Sequence, residues 1–322
     1  MIIEDLIVEL DNRLHKIAPR IETRWKQTSK GESKYSREII VPINKTKSEI
    51  LCETFDIKSN KWDKLFLQAT NGKGQEHNRI LTLHSSTLIA ILCFHNVDEN
   101  PITIDNEIYN QCWFEVRNNV YGSASSVDVV LKSESGNLLF LESKFTEYLS
   151  HDVPEIKMAY WEFYKNILPQ IPDYPLQMVY PKVWEKNGKE NVGFTIQAKS
   201  PKVACDSLYL AGIKQCFSHI IGISRGPENI EDECWKNVTP QTKLRFGCIV
   251  YGFPTVFTNY NSFYKETIGQ ISSEMILNSL DGEKTYANQL EILPKLLTYQ
   301  DIFKKQNPKA LLPKIAEYYG LE

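Results

Sequence analysis

The sequence predicts an α/β (α+β) protein, with helices first and a run of adjacent strands in the middle of the chain. Three observations carry that expectation. Apolar residues recur at helical spacing through the N-terminal quarter. Three apolar segments of strand length follow one another between residues 110 and 146, separated by short polar turns. A strongly amphipathic stretch then leads into one more apolar run at 244–253.

In chain order, Ile2, Ile3, Leu6, Ile7, Leu10, Leu14 and Ile17 predict a helix through residues 2–28 that Pro19 ends or kinks. Residues 13–37 interleave Lys and Arg with Trp25 and Tyr35. A phosphate contact fits that composition, but the modest net charge favours a solvated face. Ile50, Leu51, Phe55, Leu65, Phe66 and Leu67 predict a helix over 47–70. The polar run Asn71-Gly72-Lys73-Gly74-Gln75 is the expected boundary, giving an N-terminal helical extension (1–75) and a main domain (76–322). An apolar helix over 78–94 comes next, with Ser85 and Ser86 near its start, and then strands at 110–120, 126–132 and 138–146. Residues 150–203 interrupt this core with a helical piece at Tyr160–Tyr164, a proline-rich turn region, and a hairpin over 180–199. As an aromatic-rich insertion directly after the third strand, this segment is the first candidate for substrate discrimination. A helix over 207–223, a buried strand over 244–253 and a mainly helical end from Tyr264 complete the chain.

The most informative stretch is Val127 to Tyr148. One apolar run carries Asp128, a Gly-containing turn follows, and a second run delivers Glu142 and Lys144. Strand side chains alternate, so Glu142 and Lys144 share a face, and a hairpin would bring Asp128 beside them. Two carboxylates suit a hard divalent cation such as Mg²⁺, with Mn²⁺ able to substitute, and a lysine beside them suits an anionic substrate. Acid-any-Lys occurs four times, so context must choose among the copies. Glu32-Ser33-Lys34 follows a loop-like composition with no strand before it, while Asp56-Ile57-Lys58 and Glu155-Ile156-Lys157 lie in stretches of helical spacing. Only Glu142 ends a continuous apolar strand. The plain alternative is a solvated Glu–Lys pair at a strand end, worth little; ionisable groups set into two apolar strands cost too much for that unless they are paired or bind a metal.

This segment resembles the active-site hairpin of the PD-(D/E)XK nuclease superfamily, and the wider pattern resembles a group of type II-like restriction endonucleases within it. The likeness rests on Leu83-His84-Ser85-Ser86, on Phe114-Glu115-Val116-Arg117-Asn118 through Glu147, on Tyr209 to Gly222, and more weakly on Tyr299-Gln300-Asp301-Ile302-Phe303. One departure is Val127, where the superfamily often has proline. The resemblance implies a restriction-endonuclease-like core with a mixed central sheet flanked by helices. It makes Asp128 and Glu142 metal ligands, Lys144 the catalytic lysine, and Gln215 a residue presented near the site. The Ser143 carbonyl is expected to add a metal ligand. Glu115 is open between an accessory acid and an exposed strand glutamate, because one residue of parity decides it. Glu147 either supports the metal from outside its ligand shell or caps the next turn. Gln215 and His219 share a helix face, where a polar rim on a core helix is the plain reading, and His219 is expected to be structural.

The expected reaction is in-line attack of water on a DNA phosphodiester with one or two Mg²⁺, about 3.5–4 Å apart if two. A restriction or defence role is expected; a repair or recombination nuclease, or an inactive nucleic-acid-binding module, is the alternative. A net charge of −3 argues against holding nucleic acid by bulk charge but permits a locally positive cleft. The seven cysteines are scattered and form no Cys-x-x-Cys, which fits a reducing cytoplasm. The histidines form no zincin pair, and there is no nucleophile elbow or phosphate-binding Gly-rich loop. The start lacks the features of a signal peptide, and the longest apolar stretch, 88–94, is too short for a membrane. DNA is the expected partner, with a homodimer the simplest way for a single-site enzyme to cut both strands.

Overall fold

The computed structural model describes residues 3–28, 31–58, 60–70, 78–149, 153–186, 188–199, 210–229, 232–282 and 285–322. Helix α1 (Ile3–Ile17) buries Leu6, Ile7, Leu10, Leu14 and Ile17 along one stripe. Each such burial is worth about 1.5–3 kcal/mol. The helix stops before Pro19, and the chain does not resume it. It forms an antiparallel hairpin instead, β1 (Thr23–Thr28) with β2 (Gly31–Ile39). Residues 23–28 carry no apolar i, i+4 repeat that would hold a helix to a core, so the segment before residue 75 is helical only in part. The helix expected over 47–70 is two, α2 (Lys47–Phe55) and α3 (Trp62–Thr70). Thr46 and Glu49 close α2 with a capping box, and Asp56 ends it in the left-handed region at φ 57°. The expected boundary at 71–75 lies outside the described residues, as does the start of the helix expected at 207.

The protein is a mixed α/β structure whose central mixed sheet is flanked by helices. The strands β3 (Ile102–Ile104), β4 (Glu107–Val120), β5 (Ser123–Ser133) and β6 (Leu138–Lys144) pair antiparallel in sequence order. Strand β10 (Leu244–Val250) lies parallel to β6, and β11 (Leu290–Ile292) and β12 (Leu297–Thr298) lie parallel to β10. The last two escape the sequence pattern because three and two residues are too few to display alternation. Helix α4 (Ser86–Phe94), capped by the Ser85 hydroxyl, packs against β5 and β6. Helix α6 (Leu210–Arg225) packs against β4, β5 and β10. At Gly222 a Cβ would stand 3.0 Å from Asn118 Cβ and 3.1 Å from Val120 Cγ2, so the missing side chain lets α6 approach the sheet. Leu6, Leu10, Leu14 and Ile17 of α1 and the buried apolar residues of α2 and α3 belong to the same continuous core as the sheet.

The insertion forms its own sheet, in the order β7 (Ile156–Lys157), β9 (Lys189–Ala198), β8 (Leu176–Lys186), beside α5 (Trp161–Ile167). Its buried aromatic residues pack internally and against the core. Tyr164 meets Phe217 of α6 edge-on at 4.7 Å and Phe194 at 5.2 Å, which ties the insertion to the core. Beyond β10 come α7 (Pro254–Glu266), α8 (Ser273–Ser279), a π-helical turn at Gln300–Gln306 and α9 (Pro313–Tyr319). The expected helical character of the end therefore holds, apart from β11 and β12.

Candidate active site at the end of strand β6

The site arises where two ladders give way. Strands β5 and β6 pair from Lys132↔Leu138 up to Val129↔Leu141. The next residue on β5, Asp128, takes over from the backbone, and its Oδ2 accepts the Ser143 N–H at 2.7 Å. On its other side Asp128 stands opposite Glu115, which is skipped between the pairs Phe114↔Val129 and Val116↔Val127 and adopts φ 51°. A non-glycine residue in that region costs about 1–3 kcal/mol and persists only where surrounding structure imposes it. Strand β6 meanwhile stays paired to β10 through Glu142↔Cys248, Ser143↔Ile249 and Lys144↔Val250. The hairpin thus opens on one side only, and Asp128 fills the opening.

Alternation then sorts the residues of β6. Glu142 and Lys144 face α6, at 1 % and 5 % exposure, and their side chains form an ion pair. Ser143 faces α4, and its hydroxyl bonds the Ser86 carbonyl at 3.2 Å and the Tyr299 hydroxyl at 2.8 Å. His219 of α6, 4 % exposed, reaches Glu142 Oε2 through Nε2 at 2.6 Å. Its Nδ1 lies 2.6 Å from the Ser125 hydroxyl on β5. Four polar side chains therefore form one buried line, Ser125, His219, Glu142, Lys144. The two carboxylates experience opposite fields. Burial and the neighbouring Glu142 charge push Asp128 well above the usual carboxylate range, against the pull of Lys144 and the Ser143 N–H. Burial also opposes ionisation of Glu142, but Lys144 and His219 outweigh it and hold that carboxyl at about 2.

Asp128, Lys144, Glu147 and Gln215 line one cleft of about 570 Å³, together with Lys26, Arg79, His84 and the first residues of α4. Glu147 also accepts the Phe145 N–H at 2.8 Å, just after β6. Gln215 stands one helical turn before His219, which brings the shared face of α6 to the site. Glu115 lines a neighbouring cleft of about 530 Å³ with Trp113 and Arg117, not the one that holds Lys144, and its charge helps to raise Asp128. The described residues of the insertion line no part of the Asp128 cleft. The N-terminal hairpin does, through Lys26 and Ser36, although its basic composition pointed first to a solvated face.

His219 is the residue that sequence reasoning discounted. Its one visible signal was the four-residue spacing from Gln215. The rival copies of the tripeptide fall elsewhere, though not all as expected. Glu32 and Lys34 belong to strand β2 rather than a loop, and Lys157 belongs to β7 rather than a helix. Asp56 caps α2 and pairs with Lys314 at 3.0 Å.

Among the described residues no three His, Cys, Asp or Glu side chains gather as a metal-binding group. The two carboxylates with the Ser143 carbonyl nevertheless supply hard oxygen donors of the kind Mg²⁺ takes alongside water. Each carboxylate oxygen has lone-pair capacity beyond one hydrogen bond. The donor set fits a divalent cation. No family model, no curated protein and no solved structure matches the chain. Among the described residues no helix is long and apolar enough to cross a membrane.

Proposed function

We propose that this protein is a Mg²⁺-dependent endodeoxyribonuclease of the PD-(D/E)XK type, with a restriction-endonuclease-like core and a role in restriction or a related cytoplasmic defence. One observation carries the reading. At the point where β5 leaves β6, Asp128 takes the Ser143 N–H while Glu142 and Lys144 form an ion pair on the adjoining strand end, beside a cleft lined by further cations. Asp128, Glu142 and the Ser143 carbonyl would hold the ion. Such an ion would lower the pKa of a water and neutralise charge on the leaving oxygen. Lys144 reaches the cleft, where its ammonium stabilises charge growing on the phosphoryl oxygens. The N-terminus of α4 opens into the same cleft and favours an anion there.

Purified protein is expected to nick and then linearise supercoiled plasmid with Mg²⁺ and to leave it intact with chelator. Discrete fragments on longer DNA would assign restriction. No cleavage under any divalent cation sinks the proposal. Two further outcomes follow from the same site. Mg²⁺ or Mn²⁺ should raise the melting temperature, since binding to the folded state at 100 times Kd adds about 2.7 kcal/mol; an unchanged melting curve rules out a metal site. Replacing both Lys26 and Arg79 by alanine should weaken DNA binding and reduce the slope of log K against log salt by roughly 2. An unchanged slope would remove those residues from the interface. The homodimer that double-strand cutting favours is checked by light scattering with and without DNA.

A further inference from the structure

We infer that His219 is a positioning residue for Glu142. It holds one carboxylate oxygen in place so that the other can pass from Lys144 to a divalent cation, which releases the ammonium toward the substrate. This inference rests on the nuclease reading above.

The two oxygens of Glu142 are held differently. Oε1 is paired with Lys144, whose side chain also lines the open cleft. Oε2 is held by His219 at 2.6 Å, and neither Glu142 nor His219 lines that cleft. Both partners are buried, but only Lys144 lines the cleft. An ammonium engaged with Glu142 is not available to a phosphoryl oxygen. If Lys144 turns away, a carboxylate with no second partner is free to rotate about its last bond, and its orientation is lost. His219 removes that freedom. The imidazole is itself fixed, because Nε2 must carry a proton to bond a carboxylate, while Nδ1 faces the Ser125 hydroxyl at 2.6 Å. The ring also packs 5.8 Å from Phe246 of β10. The tether thus runs from β5 through α6 to β6, and it does not depend on the residue that must move.

Outer partners of this kind typically change metal affinity by about 10–100-fold. The test is Mn²⁺ affinity by calorimetry, without DNA, in the full chain. His219→Phe keeps a ring but no donor and should loosen Mn²⁺ binding by about 10–100-fold. His219→Gln keeps an N–H and should recover most of the loss. Lys144→Met, which removes the competitor for Oε1, should tighten binding. Charge alone predicts the opposite for His219, since deleting a residue able to carry positive charge would favour a cation nearby. Ser125→Ala leaves Glu142 untouched, should loosen binding several-fold, and decides the matter if His219→Phe does not fold. Unchanged or tighter Mn²⁺ binding in the folded His219 or Ser125 variants overturns the inference alone. Absence of Mn²⁺ binding by the wild type overturns the metal reading and this inference with it.

Discussion

Alanine at Asp128 or at Lys144 is expected to abolish DNA cleavage, a loss of at least about 10²–10³-fold in rate from each, while DNA affinity stays within a few-fold. On the mechanism proposed above, Asp128→Ala removes a metal ligand and Lys144→Ala the charge beside the phosphate, both of which would act in the transition state. Affinity comes instead from dispersed phosphate contacts, and Asp128→Ala should bind slightly better, because it deletes a negative charge from the cleft. Glu32→Ala, in the same Glu-Ser-Lys tripeptide on β2, should cut normally. The Lys144 variant needs one precaution. Its ammonium compensates the buried Glu142 charge, and breaking a buried pair costs about 3–5 kcal/mol. Cleavage must therefore be compared at temperatures where both proteins are folded. Full activity in folded Lys144→Ala would show that the wrong copy of the tripeptide has been chosen.

Asp128→Asn and Glu142→Gln are expected to move stability in opposite directions when no divalent cation is present. Glu142 has a folded pKa of about 2, below its unfolded value of about 4.3, so its contribution is fully present above the unfolded value. It is lost as pH falls from there through 2. The difference corresponds to about 3 kcal/mol at neutral pH. Glu142→Gln should lose that amount and flatten the acid limb of the stability curve. Asp128 has the opposite sign. Its folded pKa lies well above the unfolded one, so the protein loses stability as pH rises from the ordinary carboxylate range through the raised value. Asp128→Asn keeps an acceptor for the Ser143 N–H but carries no charge. It should raise the melting temperature at neutral pH, while removing cleavage and the stabilisation by Mg²⁺. Chemical denaturation at pH 3, 5 and 7, with chelator and with Mg²⁺, reads both effects. A lowered melting temperature for Asp128→Asn at pH 7 in chelator would falsify the electrostatic account of the site.

The parts of this site that were legible in the sequence are those set by strand alternation. Glu142 and Lys144 share a face because they are two apart, and the apolar runs around them are long enough to fix both strands. Strand β10 was visible as a continuous apolar run, though not its parallel direction. Contacts between distant segments were not legible. His219 lies 77 residues from Glu142, and only the closeness of α6 to the sheet joins them. Glu115 illustrates a second limit: its parity predicts a side, but its backbone at φ 51° departs from a regular strand and sends it to the neighbouring cleft. The β1–β2 hairpin shows a third. The spacing that predicts α1 ends at Ile17 and Pro19 interrupts it, but the mostly polar residues 20–28 carry too little apolar alternation to reveal a strand.

Tyr299 places a constraint on synthesis. The residues that would do chemistry leave the ribosome by position 144, but what surrounds them arrives much later. A nascent chain ending near residue 205 carries Glu142 and Lys144 without His219, without β10 along the far edge of β6, and without the Tyr299 hydroxyl behind Ser143. The ion pair in such a chain has no interior to occupy, and its two charges remain in water. Only when both His219 and Tyr299 have emerged can the strand end be enclosed from both faces. On the nuclease reading proposed above, a chain that ended between residues 145 and 218 would carry Asp128, Glu142 and Lys144 before His219 and Tyr299 were present to fix them.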